Sequence, residues 1–249
     1  MQMRRNIKLT IAYDGTRYNG WQKQGNTENT IQGKIERVLS SLLEEEIELH
    51  GSGRTDAGVH AKAQVANFHT SSDISLEDIS TGLTMYLPND IAVYQLEEVP
   101  IRFHSRLNAT RKCYYYRIWN SYIPNVFEHR FMDQVEQHLN VEKMREAAKK
   151  FEGTHDFKAF CSNKRMKKST VRTIYSIEIE QDREEIILKF TGNGFLYNMV
   201  RIITGTLIEV GIGKRKPEEM EALIASKNRE EAGFTAPAQG LCLKSVSYE

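Results

Sequence analysis

The sequence has little of what defines several protein classes. Its three cysteines, Cys113, Cys161 and Cys242, are odd in number and far apart. A disulfide framework or a cysteine metal site is therefore not expected, and a reducing compartment is. No stretch approaches the roughly 18 to 20 apolar residues that a membrane-spanning helix needs. The N-terminus alternates polar and apolar residues, unlike a signal peptide. These absences predict a cytoplasmic protein with no membrane segment.

An excess of one charge is also missing. The 249 residues include 34 lysines and arginines and 33 aspartates and glutamates, giving a formal net charge of +1. Overall charge therefore does not indicate a nucleic-acid partner, and any such signal must lie in where the charges are placed. Two phosphate-binding motifs are absent as well. The glycines at 51, 53 and 58 do not fit G-x-G-x-x-G, and no Gly-Lys-Ser/Thr of a P-loop follows them.

Periodic patterns predict two α+β halves. In the first hundred residues, positions 7–11 alternate as in a strand and Ser75 opens a capping box, and the element order reads β-α-β-β-α-β, the ferredoxin-like order. The second part repeats the theme loosely, with a helix closed by Gly153, a hairpin at 170–192 and an apolar helix at 194–211.

We therefore predict an α+β protein of two ferredoxin-like, RNP-like halves, residues 1–104 and 105–249. No low-complexity linker separates them. Two antiparallel sheets side by side would leave a catalytic cleft between the halves, which is a usual place for a site.

One carboxylate, Asp56, lies in the middle of a glycine-rich turn, HGSGRTDAGVHA (residues 50–61). A carboxylate there would repel the phosphate that such loops usually hold. A tight turn in which Asp56 bonds its own backbone is one explanation. A metal site formed with His60 lacks a visible third ligand. The third explanation is a carboxylate fixed by a backbone that only glycine permits, ready to act as nucleophile or general base.

Basic residues cluster in two places despite the balanced total. The segment NKRMKKSTVRT (residues 163–173) contains no acid and five cations: Lys164, Arg165, Lys167, Lys168 and Arg172. We call residues 163–168, which hold the first four of these cations, the basic loop. Charge runs are usually solvated surface. The strand RKCYYYR (residues 111–117) interleaves cations with aromatics, a pattern that also stacks RNA bases on a sheet. One face of that strand is expected to pack into the core, so part of its tyrosine content is structural.

Arg201 lies in the apolar helix GFLYNMVRIITG and is expected to have a partner, because arginine is seldom unpaired in such surroundings. A structural salt bridge at the helix edge is one possibility, and Asp56 is a candidate for a functional partner.

Several motifs together resemble the tRNA pseudouridine synthase A family. The match extends over essentially the whole chain, and the block GRTDAGVHA is highly specific to the family. The other motifs are YDGTRYNGWQKQ, FHSRLNATRKCYYYRI, GFLYNMVRIITGTLIEVG and APAQGLCL. The resemblance implies an isomerase that converts uridine to pseudouridine in the anticodon stem-loop of tRNA, at positions 38, 39 and 40. It further implies no cofactor and no metal, and a homodimer.

The resemblance also implies roles for individual residues. Asp56 matches the catalytic aspartate and Arg201 the arginine that pairs with it. Tyr114 matches the tyrosine that stacks on the target uracil, and Arg54 a basic residue that helps to flip the base. Cys113 and Tyr115 depart from the family pattern and leave open which uridine is bound. The alternatives are a synthase for another RNA, such as ribosomal RNA or other tRNA positions, and a non-catalytic RNA-binding module on the same fold.

Overall fold

The computed structural model describes residues 4–163 and 165–248. The chain divides into two compact units, Met1–Thr110 with Leu243–Glu249, and Arg111–Cys242. The end of the chain thus belongs to the first unit, whereas the sequence analysis assigned all of residues 105–249 to one half. The division into two functional halves, 1–104 and 105–249, stays a prediction.

The first unit has the predicted β-α-β-β-α-β order. Its elements are β1 (Arg5–Tyr13), α1 (Ile31–Leu43), β2 (His50–Gly51), β3 (His60–Thr70), α2 (Leu76–Tyr86) and β4 (Ile91–Val99). Strand β1 lies between β3 and β4 and is antiparallel to both, and β2 pairs with β3. The alternation in β1 buries Ile7, Leu9 and Ile11 completely. The Ser75 hydroxyl accepts from the backbone N–H of Asp78, which confirms the capping box at the start of α2.

The second unit is also α+β. Its elements are β5 (Arg111–Trp119), β6 (Asp133–Gln134), α3 (Val141–Lys149), β7 (Gly153–Asp156), β8 (Val171–Asp182), β9 (Glu185–Gly192), α4 (Met199–Gly211) and α5 (Glu219–Ser226). The last strand, β10 (Leu241–Ser247), has its first two residues in this unit and the rest in the first unit. Strands β5, β9, β8 and β7 pair in that order and are antiparallel, and β6 runs parallel to β5. The α+β class and the predicted β8–β9 hairpin are confirmed.

Three element boundaries differ from the sequence analysis. Strand β2 covers only the last two residues of the short strand EIELHG (residues 46–51) that the sequence pattern predicts. The preceding amides of Ile47 and Leu49 donate instead to side chains of α1, Ser40 Oγ and Glu36 Oε1, at 3.0 Å each. Helix α3 ends at Lys149, and Gly153 begins β7 instead of closing the helix. Helix α4 begins at Met199 and not at 194, because the preceding residue has a left-handed backbone.

No helix among the described residues is long and apolar enough to cross a membrane.

Candidate active site

The glycine-rich turn is attached to the segment that follows β1. The carbonyl oxygen of Thr55 accepts from the backbone N–H of Trp21 at 3.0 Å, and the Thr55 hydroxyl shares a 2.8 Å hydrogen bond with the Tyr13 hydroxyl. Within the turn, the Val59 amide donates to the carbonyl oxygen of Asp56 at 3.1 Å. Trp21 is 1% exposed and belongs to the core. The backbone on both sides of Asp56 is therefore fixed by the first unit itself.

Two glycines allow this close attachment. A Cβ atom on Gly15 would lie 2.0 Å from the carbonyl oxygen of Val59, and one on Gly20 would lie 2.6 Å from that of Thr55. Gly20 also has a φ of +88°, which side-chain-bearing residues rarely adopt. The segment 13–21 therefore approaches the turn at a distance that only glycine permits.

His60 supports the same turn from inside. It is 4% exposed, and its Nδ1 atom lies 3.1 Å from the Gly15 amide nitrogen. Nδ1 also lies 3.2 Å from Asp14 Oδ1. Among the residues that the structure describes, no group of three or more His, Cys, Asp and Glu side chains is arranged to hold a metal ion. His60 thus has a structural task beside the half-buried Asp56.

Arg54 projects from the turn next to Asp56. Its side chain is exposed, and Nε donates to Gln22 Oε1 at 3.0 Å. Gln22 in turn donates from Nε2 to Gln32 Oε1 at 2.7 Å. The guanidinium is therefore oriented by the segment that also holds the turn, and its cation stays accessible to solvent.

In the second unit, the tyrosines of β5 divide as the strand alternation predicts. Tyr114 and Tyr116 face the core and are 8% and 0% exposed. The Tyr114 ring meets Phe195 edge-on, with centroids 5.3 Å apart and planes at 85°. The Tyr116 hydroxyl donates to the carbonyl oxygen of Pro237 at 2.8 Å, and burial raises its pKa well above the usual value. Burial likewise raises the pKa of Tyr115. Tyr116 is completely buried and structural, whereas Tyr114 is 8% exposed.

Arg201 lies in the first turn of α4 and has two hydrogen bonds within its own unit. Nε donates to the carbonyl oxygen of Ala236 at 2.7 Å, and Nη1 donates to Asn198 Oδ1 at 2.9 Å. The amide of Ala236 returns a bond to the carbonyl oxygen of Arg201 at 3.1 Å. These contacts fix the plane of the guanidinium. Because Asp56 belongs to the other unit, its ion pair with Arg201 stays a prediction.

Hydrogen bonds hold the start of the basic loop and the residues that follow its end. The side chain of Asn163 accepts from the Arg165 amide at 3.0 Å, and the Thr170 hydroxyl bonds the Asp156 carboxylate. Arg165, Lys167 and Lys168 are exposed, and within the described part of the chain no acidic side chain pairs with them. Lys164 lies outside the described residues.

One buried acid in the second unit was not predicted from the sequence. Asp133 in β6 is 8% exposed, and burial raises its pKa to about 6. Nothing in the local pattern distinguishes Asp133 from an exposed loop acid, since its burial follows from pairing β6 with β5.

The chain is similar along nearly its whole length to curated proteins. The family described as tRNA pseudouridine synthase matches residues 9–108 and 147–249. A tRNA pseudouridine synthase A from Bacillus sp. (strain KSM-64) is 49% identical over 243 residues, covering 98% of this chain and 99% of that protein. A tRNA pseudouridine synthase A 2 from Clostridium perfringens (strain 13 / Type A) is 49% identical over 244 residues, covering 98% and 100%.

Among solved structures, the crystal structure of a Cbf5-Nop10-Gar1 complex matches 95% of this chain and 48% of that chain. The sequence identity is 13% and the TM-score is 0.39. A similarity of this degree does not establish a shared function.

Proposed function

The chain belongs to the tRNA pseudouridine synthase A family of isomerases, as its motifs predicted, and from this premise we propose that it acts on the anticodon stem-loop of tRNA. The proposed products are pseudouridines at positions 38, 39 and 40, formed without a cofactor by a cytoplasmic homodimer. The observation that supports the proposal most directly is the turn around Asp56: the Thr55 carbonyl oxygen accepts from the Trp21 amide, and the Asp56 carbonyl oxygen accepts from the Val59 amide.

Asp56 is the proposed catalytic residue. The reaction breaks the bond between ribose C1′ and uracil N1, turns the uracil, joins its C5 to C1′, and releases the C5 hydrogen as a proton to solvent while N1 gains one. An ionised aspartate can attack C1′, attack uracil C6, or remove a ribose proton. All three routes need a fixed, charged carboxylate. The glycine contacts at residues 15 and 20 support such fixation, because they hold the turn to a rigid segment.

Arg201 is the proposed ionic partner of Asp56. A carboxylate in a water-poor site drifts toward its neutral form, and a neighbouring guanidinium opposes this drift. Hydrogen bonds to Ala236 and Asn198 restrict how the Arg201 guanidinium can turn. Such restriction favours a directional pair with a carboxylate.

The RNA contacts follow from charge and aromatic surface. Removing the target nucleotide from its stack costs free energy, which an aromatic platform and an inserted cation recover. Tyr114 is the proposed platform and exposed Arg54 the proposed wedge. The basic loop is proposed to bind phosphates, because its exposed cations have no acidic partner within the described part of the chain.

The test is a map of pseudouridine in RNA from cells with the gene, without it, and with a copy encoding Asp56→Ala. We expect pseudouridine at tRNA positions 38, 39 and 40 to disappear without the gene and to stay absent with the variant. Loss at other RNA positions would assign another substrate. An unchanged map would favour a non-catalytic RNA-binding role. Purified protein should then bind a tRNA transcript without forming pseudouridine in it.

A further inference from the structure

Asn198 occupies an unusual place at the start of α4. Its φ of +62° lies in the left-handed region, and its side chain does not cap the helix. Instead, Oδ1 accepts from Arg201 Nη1 at 2.9 Å, and Nδ2 donates to Ser162 Oγ at 3.0 Å. The Ser162 amide also donates to the carbonyl oxygen of Tyr197 at 3.2 Å. Asn198 therefore lies between Arg201 and the residue that precedes the basic loop.

This arrangement departs from what an asparagine usually does there. At the N-cap, its side-chain oxygen normally accepts from a backbone amide two or three residues on, with an extended backbone. Residue three of this helix is Arg201 itself, yet the oxygen takes the guanidinium and not the backbone. Asparagine tolerates the left-handed region better than most residues do. In this conformation the Asn198 side chain does not cap the helix, and its amide oxygen accepts from Arg201 instead.

We propose that Asn198 is a positioning residue that sets the direction of the Arg201 guanidinium and connects it to the base of the basic loop. The inference rests on the proposed role of Arg201. Acceptors at Nε, from Ala236, and at Nη1, from Asn198, together define the guanidinium plane. Losing the acceptor at Nη1 removes one of these two restraints on the guanidinium plane, and a bidentate pair with a carboxylate depends on the angle of that plane.

The first test compares Asn198→Gly with a matched control, Glu44→Gly. Both residues have a left-handed backbone, with φ of 62° and 53°, which glycine adopts without strain. Glu44 is exposed and lies at the end of α1. We expect Glu44→Gly to keep the melting temperature of the wild type and Asn198→Gly to melt a few degrees lower, because two side-chain hydrogen bonds are lost. With saturating tRNA, Asn198→Gly should lower the single-turnover rate by about 10- to 100-fold, the effect of one lost hydrogen bond to a charged group, and Glu44→Gly should leave it unchanged.

The pH profile and a double-mutant cycle separate positioning from general packing. Arg201→Met is expected to raise the pH at which the acid limb of the rate falls, because loss of a cation raises the pKa of a carboxylate. Asn198→Gly should shift that limb in the same direction by less. In the Arg201→Met background, adding Asn198→Gly should have no further effect on the rate. A wild-type rate for Asn198→Gly, or an equal slowing in both backgrounds, overturns the inference.

A second variant keeps the test decisive if the glycine variant is unstable. Ser162→Ala keeps Asn198 and its left-handed backbone and removes the acceptor of its Nδ2, so it should slow the single-turnover rate by less than Asn198→Gly does and have no effect in the Arg201→Met background. An equal slowing by Ser162→Ala in both backgrounds contradicts positioning through the Asn198 side chain. The proposed function fails separately: Arg201→Met with a wild-type rate and pH profile removes the role of Arg201, and an active Asp56→Ala protein removes the role of Asp56.

Discussion

The close attachment of the turn around Asp56, the proposed catalytic residue, predicts a large effect from one methyl group. In Gly15→Ala, the new Cβ would lie 2.0 Å from the Val59 carbonyl oxygen and 2.6 Å from its carbonyl carbon, whereas ordinary contacts begin at 3.4 Å. The turn or the segment must therefore move by about 1.4 Å. Overpacking of this kind costs about 1 to 3 kcal/mol of stability. A displacement of about 1 Å at a catalytic group lowers the rate by about 100-fold.

Gly25→Ala is the matched control. Gly25 lies in the segment between β1 and α1, as Gly15 does, its Cβ would meet nothing within 4 Å, and neither residue has a positive φ. The assay is single-turnover release of tritium from uridine labelled at C5 in a tRNA transcript, because joining C5 to C1′ expels that hydrogen. We expect Gly15→Ala to melt a few degrees lower, bind tRNA and react about 100-fold more slowly, with Gly25→Ala unchanged. A destabilised Gly15→Ala protein with a full rate would show that Val59 does not position Asp56.

Three further predictions concern charge and stacking. Asp133→Asn should raise the free energy of unfolding at pH 8 by up to about 3 kcal/mol, because the pKa of Asp133 rises from 3.8 to about 6 on folding. The stability of the wild type should accordingly fall as the pH rises from about 4 to 6. Equal pH dependence of the two proteins in urea unfolding would contradict this prediction. Neutralising the four cations of the basic loop should reduce the slope of log K against log salt by up to about 3, and an unchanged slope would make the loop plain surface. Tyr114→Phe should bind tRNA as the wild type does while Tyr114→Ala loses about 1 to 3 kcal/mol; equal losses would assign the effect to the hydroxyl.

Elements with a local pattern could be predicted from the sequence. Alternation in β1 and the hydroxyl of Ser75 before α2 act over a few residues, and the structure has both. The length of β2 could not be predicted, because the amides that would extend the strand bond to side chains of α1. Such contacts depend on the fold and leave no periodic signal.

The same limit applies to the candidate site. The glycines around Asp56 indicate a special turn, but the glycines that hold it, Gly15 and Gly20, are about 40 residues away in the chain, and their close contacts exist only after folding. Asn198 is visible as a polar residue three positions before Arg201. Its left-handed backbone is not, since a helical pattern alone extends α4 past it.

The most direct test of the account is the single-turnover rate of Asp56→Ala on an anticodon stem-loop transcript, measured beside its affinity for the same RNA. Asp56 is half-buried, and the preceding residue, Thr55, is hydrogen-bonded through its backbone to Trp21 and through its side chain to Tyr13. Removing the Asp56 carboxylate should therefore leave the fold intact. The account predicts no detectable pseudouridine, with RNA affinity equal to that of the wild type or slightly higher because a negative charge near phosphate is gone. Pseudouridine formed at the wild-type rate would contradict the assignment of Asp56 as the catalytic residue.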